Sequence, residues 1–251
     1  MFYQKYRIQN STLLKHAKSV IHSRWSSIDD GSRKRLPLSR IHDVLSGSAL
    51  NEFRIACFDE LNRNPWVEWF YKDCSELVAK LIGPDFCIQS KLNLSIVPPR
   101  DRSSQLPIHS DSWAGDSPFQ LNFWFPLTDA VGDSGIYIVD PDCTLDAMQY
   151  LQVNGRLPPI KKRSRMTVAA RVGDVIVFNP ALLHGSGLNT STKTRLSLNL
   201  RVKNFFAPDF SAQFPDRNSA SYYAHTVLSD ATKFGVRFWG TSRLKIEDAP
   251  G

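Results

Sequence analysis

Short cysteine spacings are missing from this 251-residue chain: Cys57, Cys74, Cys87 and Cys143 form no CxxC or similar pair, which argues against a zinc knuckle or a redox couple. Four scattered thiols suit a reducing cytoplasm, the expected location. Long apolar runs are absent too. The start MFYQKYRIQNSTLLKHAKSV has no uninterrupted apolar segment, and no run approaches the roughly 18 residues that a spanning helix needs, so no membrane insertion is expected. Fixed-period repeats and low-complexity tracts are likewise lacking.

The composition itself is ordinary: 42% hydrophobic and 22% charged residues fit a folded chain and exclude a disordered or fibrous one. A net charge of +7 favours an acidic partner without choosing among nucleic acid, phosphorylated metabolite and acidic sugar. The one basic cluster, Lys161-Lys162-Arg163-Ser164-Arg165, reads as a solvated loop.

Apolar residues recur at three- and four-residue intervals over 11–22, 48–63 and 66–82, which predicts amphipathic helices. Ser48 is the expected cap of the second, and Gly83-Pro84 ends the third. After Pro84 the texture changes to short alternating runs separated by Pro, Gly, Asp and Ser. Strands are expected at 86–97, 119–127, 135–139, 166–171, 174–178 and 194–203, the pattern of a sandwich or barrel. Residues 140–165 read as a long polar connection, of the kind used as lids or binding segments, and a short helix is expected at 218–229. The whole chain, 1–251, is expected to be one domain: a helical flank over 1–84, a β core over 86–203 and an extension over 204–251.

Within that core, LPIHSDSW places His109 and Asp111 two residues apart, so that in extended backbone an imidazole and a carboxylate converge on one side. HxD alone is weak. It gains weight from GDVIVFNPALLHGSG, which supplies His184 after a strand-like run and a short loop. Two histidines and one carboxylate on one face of an octahedron leave three open positions, the arrangement of non-haem iron(II) oxygenases. Eleven residues on, Arg195 opens a strand whose residues Arg195, Ser197, Asn199 and Arg201 share one face, while Leu196, Leu198, Leu200 and Val202 form the other. Alternation also puts Lys91, Asn93 and Ser95 on one face of an earlier strand, and Asn122 with Trp124 on one face of LNFWF.

Taken together, HSD, then GDVIVFNPALLHGSG, then RLS resembles the HxD…H…RxS pattern of the iron(II)/2-oxoglutarate-dependent dioxygenase superfamily. LNFWFPLTDAVGDSG looks like its phytanoyl-CoA dioxygenase-like branch. The resemblance runs from about 86 to 203, and it implies a double-stranded β-helix, the cupin-like jelly roll, with flanking N-terminal helices. It further implies iron(II) held by His109, Asp111 and His184 as the catalytic centre. The cosubstrate 2-oxoglutarate would be bound by Arg195 with help from Ser197, Asn93 and Asn122, with dioxygen as the oxidant.

Arg201, on the same face, competes with Arg195 for the cosubstrate carboxylate, because the nucleic-acid-repair branch places its arginine later. The segment after Gly135 reads IYIVDPD where the branch commonly has Pro-Gly-Ser-His, so substrate groups from that element do not transfer. Asp111 argues against halogenation, which replaces that carboxylate with a small residue. Hydroxylation of a small polar metabolite is the expected outcome. Its substrate is expected to be an acidic or nucleotide-linked sugar, since the helical start and HSDSWAGDSPF are similar to small oxygenases of bacterial surface-carbohydrate gene clusters and the basic charge balance suits an acidic partner. Trp113, Asp116 and the 140–165 segment are candidate substrate contacts. The alternative is a nucleic-acid-binding oxidative demethylase, for which no basic stripe with interleaved aromatics is evident.

Overall fold

The computed structural model describes residues 3–28, 36–114, 116–208 and 222–242. Helices α1 (Thr12–Ile28), α2 (Gly47–Arg63) and α3 (Trp66–Ile82) occupy the expected positions. Each buries the stripe that its spacing predicts, for example Leu50, Phe53, Cys57 and Leu61 of α2 and Trp66, Phe70, Cys74 and Val78 of α3. The first turn of α1 is capped by its neighbour in space. The carboxylate of Asp73, on α3, accepts the Thr12 and Leu13 N–H groups at 2.9 and 2.8 Å. Ser48 is not the cap of α2; the helix starts at Gly47, and the capping position is Ser46, whose side chain makes no capping bond. Gly83, at φ +95°, ends α3 in a backbone state that side chains rarely adopt.

Ten strands follow in chain order: β1 (Tyr3–Arg7), β2 (Phe86–Ile88), β3 (Asn93–Val97), β4 (Gln120–Pro126), β5 (Ile136–Val139), β6 (Arg165–Val168), β7 (Asp174–Phe178), β8 (His184–Ser186), β9 (Arg195–Asn204) and β10 (His225–Val227). They form two sheets. The larger has the order β1-β7-β4-β9-β2-β10 with β3 also paired to β9, and the smaller has the order β6-β5-β8. Every pairing is antiparallel. The expected jelly roll is present, with the helices on the outer face of the larger sheet.

The two faces of that sheet divide as the alternation requires. Phe123, Phe125, Leu196, Leu198, Leu200 and Val202 pack outward against the helices, with Phe70 edge-on to Phe123 and Phe125. Trp124, Ile176 and Phe178 point inward and meet Ile136, Ile138 and Val168 of the smaller sheet. Beside this apolar wall runs a polar one. Register places Asn93 opposite Asn199, Ser95 opposite Ser197, and Asn122 opposite Arg201, so β3, β4 and β9 turn their polar residues into the barrel.

Three expectations are corrected. The run 86–97 is two strands, broken at Gln89-Ser90-Lys91-Leu92, and both pair along β9. Residues 140–165 are not one loop, because Pro141–Asn154 form helix α4. Asp140 accepts the Asp142 and Cys143 N–H groups at the start of α4, and Gly155 closes it in the left-handed conformation. The expected helix at 218–229 falls partly outside the described residues, and its described part contains β10; helix α5 (Asp230–Ser242) comes later.

Candidate metal centre

Register builds the site. His184 lies on β8 opposite Ile138, on the inward face of the smaller sheet. It is buried and opens a strand after the short loop 179–183, the place expected for it. His109 is bridged to it: each backbone N–H donates to the other residue's carbonyl oxygen at 2.9 Å. The following residues are stapled to the same segment, with Asp111 N–H donating to Pro180 O at 3.0 Å and Ser110 Oγ donating to Ala181 O at 2.9 Å. Helix α4 braces it from outside through Thr144 Oγ1, which accepts the Leu183 N–H at 3.3 Å.

These bonds bring His109, Asp111 and His184 together, with their ligand atoms all within 4.8 Å of one another. Asp111 Oδ1 lies 3.4 Å from His109 Nε2 and 3.8 Å from His184 Nε2. The opposite ring nitrogens are engaged elsewhere, His109 Nδ1 with Pro107 O and His184 Nδ1 with Leu182 O, each at 2.8 Å. A carbonyl only accepts, so both Nδ1 atoms carry a proton, which leaves each Nε2 as the nitrogen turned toward Asp111 Oδ1 and able to bind a metal when its ring is neutral. Carbonyl-fixed tautomers of this kind are how proteins aim metal-ligating imidazoles.

Electrostatics put two of the three groups in metal-binding form; burial opposes the charge on His109, but its hydrogen bond to Asp111 outweighs this and raises its pKa, so a cation would displace that proton. Burial pushes His184 down to about 4, so its ring is neutral near pH 7. Burial opposes ionisation of Asp111, yet the His109 hydrogen bond and the Arg201 and His184 charges outweigh it and hold the carboxyl at about 2. A deprotonated carboxylate and a neutral buried imidazole are the forms a metal requires.

Arg195 lies at the far end of β9 from Asp111, 4% exposed. Its Nη1 donates to Ser134 O at 3.2 Å, its Nη2 reaches Ser95 Oγ at 3.5 Å, and its Nε has no partner among the described residues. Between it and the triad, Ser197 Oγ, Asn199 Oδ1 and Asn122 Oδ1 are also buried without partners among the described residues. Asn93, opposite Asn199, is half-buried. Buried polar atoms are ordinarily satisfied, so several orphans along one wall mark where a polar ligand belongs. The donor set fits iron(II) at the triad and a dicarboxylate lying between it and Arg195.

Arg201, Gln89 and Asp116 were undervalued by sequence reasoning. Arg201 pairs with both Asp111 and Asp116, and Gln89 accepts from Arg201. The signal for Arg201 was its place on the Arg195 face; Gln89 carried none, because its inward turn comes from the break in 86–97. Trp113 contacts Met148 of α4 through Nε1, 3.3 Å from the sulfur, and so packs against the segment read as a lid.

A jelly roll enclosing a His-Asp-His cluster, with Asp111 and His184 buried and His109 half-buried, and a polar wall that ends in a buried arginine defines a non-haem oxygenase that uses iron(II) and 2-oxoglutarate. The comparisons agree. The family model for phytanoyl-CoA dioxygenase (PhyH) matches residues 29–197, more than half of the chain, and the chain belongs to that family. No curated protein sequence matches it. Among solved structures it is similar in fold to HygX from Streptomyces hygroscopicus with nickel and 2-oxoglutarate bound, at TM-score 0.53 and 13% identity, covering 82% of this chain and 83% of that one. It is similar as well to the apo non-heme monooxygenase ThoJ, at TM-score 0.51 and 20% identity over 83% and 76% of the two chains.

Proposed function

We propose that the protein is an iron(II)- and 2-oxoglutarate-dependent hydroxylase of a small acidic metabolite, in the first instance an acidic or nucleotide-linked sugar. Residues 1–251 act as one oxygenase domain, placed in a reducing cytoplasm. His109, Asp111 and His184 hold the metal. Arg195 binds the distal carboxylate of the cosubstrate, Ser197 is a second donor to it, and Asn93 and Asn122 line its path.

The observation that carries this reading is that Arg195 Nε and Ser197 Oγ, two buried groups able to donate to a carboxylate, have no partner among the described residues. An arginine fork matches a carboxylate, and Arg195 has no carboxylate partner among the described residues. Bound iron and 2-oxoglutarate supply the oxidising chemistry from dioxygen. The protein aims both imidazoles, keeps Asp111 ionised and encloses the cosubstrate in a barrel whose other wall, Trp124, Ile176 and Phe178, is apolar and excludes water.

The acidic substrate class rests on Lys203. It follows Arg201 on the inward face, 7% exposed, opposite the fully buried Gln120. Its Nζ donates to Ala207 O at 3.2 Å and lies 5.4 Å from the centre of the Tyr223 ring, and it forms no ion pair among the described residues. Gln120 Nε2 is another buried donor without a partner among the described residues. A buried ammonium without a counter-ion favours an anionic ligand. The repair reading is weaker, because the basic run at 161–165 lies on an exposed turn leading into β6, away from this wall.

Anaerobic titration with iron(II) and 2-oxoglutarate tests the class through the weak visible charge-transfer band expected on chelation. Folded protein that gives no band overturns it. A panel of acidic and nucleotide-linked sugars, scored by succinate formation above the uncoupled rate, tests the substrate, and a uniformly flat panel removes the sugar assignment.

A further inference from the structure

Arg201 contacts the candidate metal ligand itself. Its Nε and Nη2 donate to Asp111 Oδ2 at 2.9 and 2.7 Å. Its Nε is also 3.2 Å from Asp116 Oδ2. Gln89 holds it from behind: Gln89 Oε1 accepts the Arg201 backbone N–H at 3.0 Å and Nη1 at 3.3 Å, while Gln89 N–H donates to Arg201 O at 3.0 Å. The two Asp111 oxygens therefore have separate partners, with Oδ2 in the guanidinium fork and Oδ1 facing the two Nε2 atoms.

We propose that Arg201 is a positioning residue that confines Asp111 to one-oxygen coordination and so preserves an open position on the metal. This rests on the metal-centre reading above. A carboxylate can bind a cation through one oxygen or two. A metal held by one atom from each of His109, Asp111 and His184 would keep its remaining positions for small-molecule ligands, and a second Asp111 oxygen would take one of them. Arginine suits this role because its planar fork stays charged and grips one oxygen from two nitrogens, which a lysine ammonium does not reproduce. The same contacts remove Arg201 from competition for the cosubstrate carboxylate: its fork is engaged by Asp111 and Asp116, whereas Arg195 Nε is unpartnered.

Cobalt(II) titration of the full chain, by calorimetry and by visible d–d absorption, tests this without turnover. Arg201→Met is expected to weaken cobalt affinity on the order of 10–100-fold, as loss of a group orienting a metal ligand does. The d–d band should also change, and Arg201→Lys should recover affinity only in part. Wild-type affinity and spectrum in a folded Arg201→Met overturn the proposal, as does a defect confined to 2-oxoglutarate affinity. Should Arg201→Met fail to fold, Gln89→Ala decides, since it loosens the guanidinium while keeping its charge. A smaller loss in the same direction supports the role, and unchanged cobalt binding overturns it. His109→Ala separates the two layers: if it too binds cobalt like wild type, the metal-centre reading is what has failed.

Discussion

Arg195 donates to the backbone oxygen of Ser134 across the barrel, and its Nε, in a site 4% exposed, has no partner among the described residues. Half of its fork is thus spent on fixing its direction, and the rest is available to a ligand. Removing one partner of a buried charge pair costs about 2–5 kcal/mol. Arg195→Met should therefore weaken 2-oxoglutarate binding roughly thirtyfold or more while cobalt affinity stays within a few-fold of wild type. Equilibrium titration of each in the absence of dioxygen checks both halves. Equal losses in the two would mean that Arg195 supports the barrel and does not hold the cosubstrate.

How far the sequence led depended on whether a residue's role is local. The inward face of β9 was readable because alternation is a property of the strand itself, and it placed Arg195, Ser197, Asn199 and Arg201 together before any partner was known. The triad was readable from motif and spacing. Helix α4 was hidden by its low amphipathicity, since Thr144 and Ala147 are its buried residues and neither stands out in a polar segment. Its ends were more legible, with Asp140-Pro141 at the start and Gly155 at the close. The ion pairing of Arg201 lay beyond reach because it joins residues 90 positions apart, and β8, three residues long, is strand only because β5 lies beside it.

Gly185 follows the distal histidine at a point where backbone crowds from the facing segment. A Cβ there would stand 2.8 Å from Leu106 O, 3.0 Å from Pro107 O and 2.8 Å from the Tyr137 hydroxyl oxygen. Two of these are backbone atoms of the segment that carries His109, so relief has to come from separating that segment from β8. Gly185→Ala should reduce cobalt affinity at least tenfold, an estimate in line with a displaced metal ligand, with the circular dichroism of the sheet retained. Unaltered metal binding would show that the His109–His184 bridge tolerates spreading.

At the other edge of the barrel, Asp174 joins a turn to a strand pair. Its carboxylate accepts the Arg171 N–H at 2.7 Å and pairs with Arg7 Nη1 at 2.9 Å, which ties β1 to β7. Burial opposes its ionisation, but the Arg171 hydrogen bond and the Arg7 guanidinium outweigh it, and its pKa falls below the usual 3.8. A carboxyl with a depressed pKa stabilises the fold above its unfolded value and loses that contribution as pH falls through the folded one. Asp174→Asn should melt a few degrees lower at pH 7, about 1 kcal/mol for an exchanged hydrogen-bond partner. The gap should narrow as pH drops below about 4. A gap that is independent of pH would assign the loss to the turn hydrogen bond alone.

Lys203 and Gln120 face each other beyond the Arg201–Asn122 pair, on the side of the triad opposite Arg195. Because 2-oxoglutarate is assigned to the Arg195 side, an anion drawn to Lys203 has to belong to the substrate. Tyr223 holds both residues in place, its ring against the ammonium and its hydroxyl donating to Gln120 Oε1, so Gln120 Nε2 is free to donate. Lys203→Met should raise KM for an acidic sugar substrate about 10–100-fold, the cost of leaving a buried anion unpaired. Both kcat and the affinity for 2-oxoglutarate should remain within a few-fold. A neutral analogue of the same sugar should lose far less. Equal losses for the charged and neutral substrates would make Lys203 a packing residue and would remove the electrostatic case for an acidic substrate.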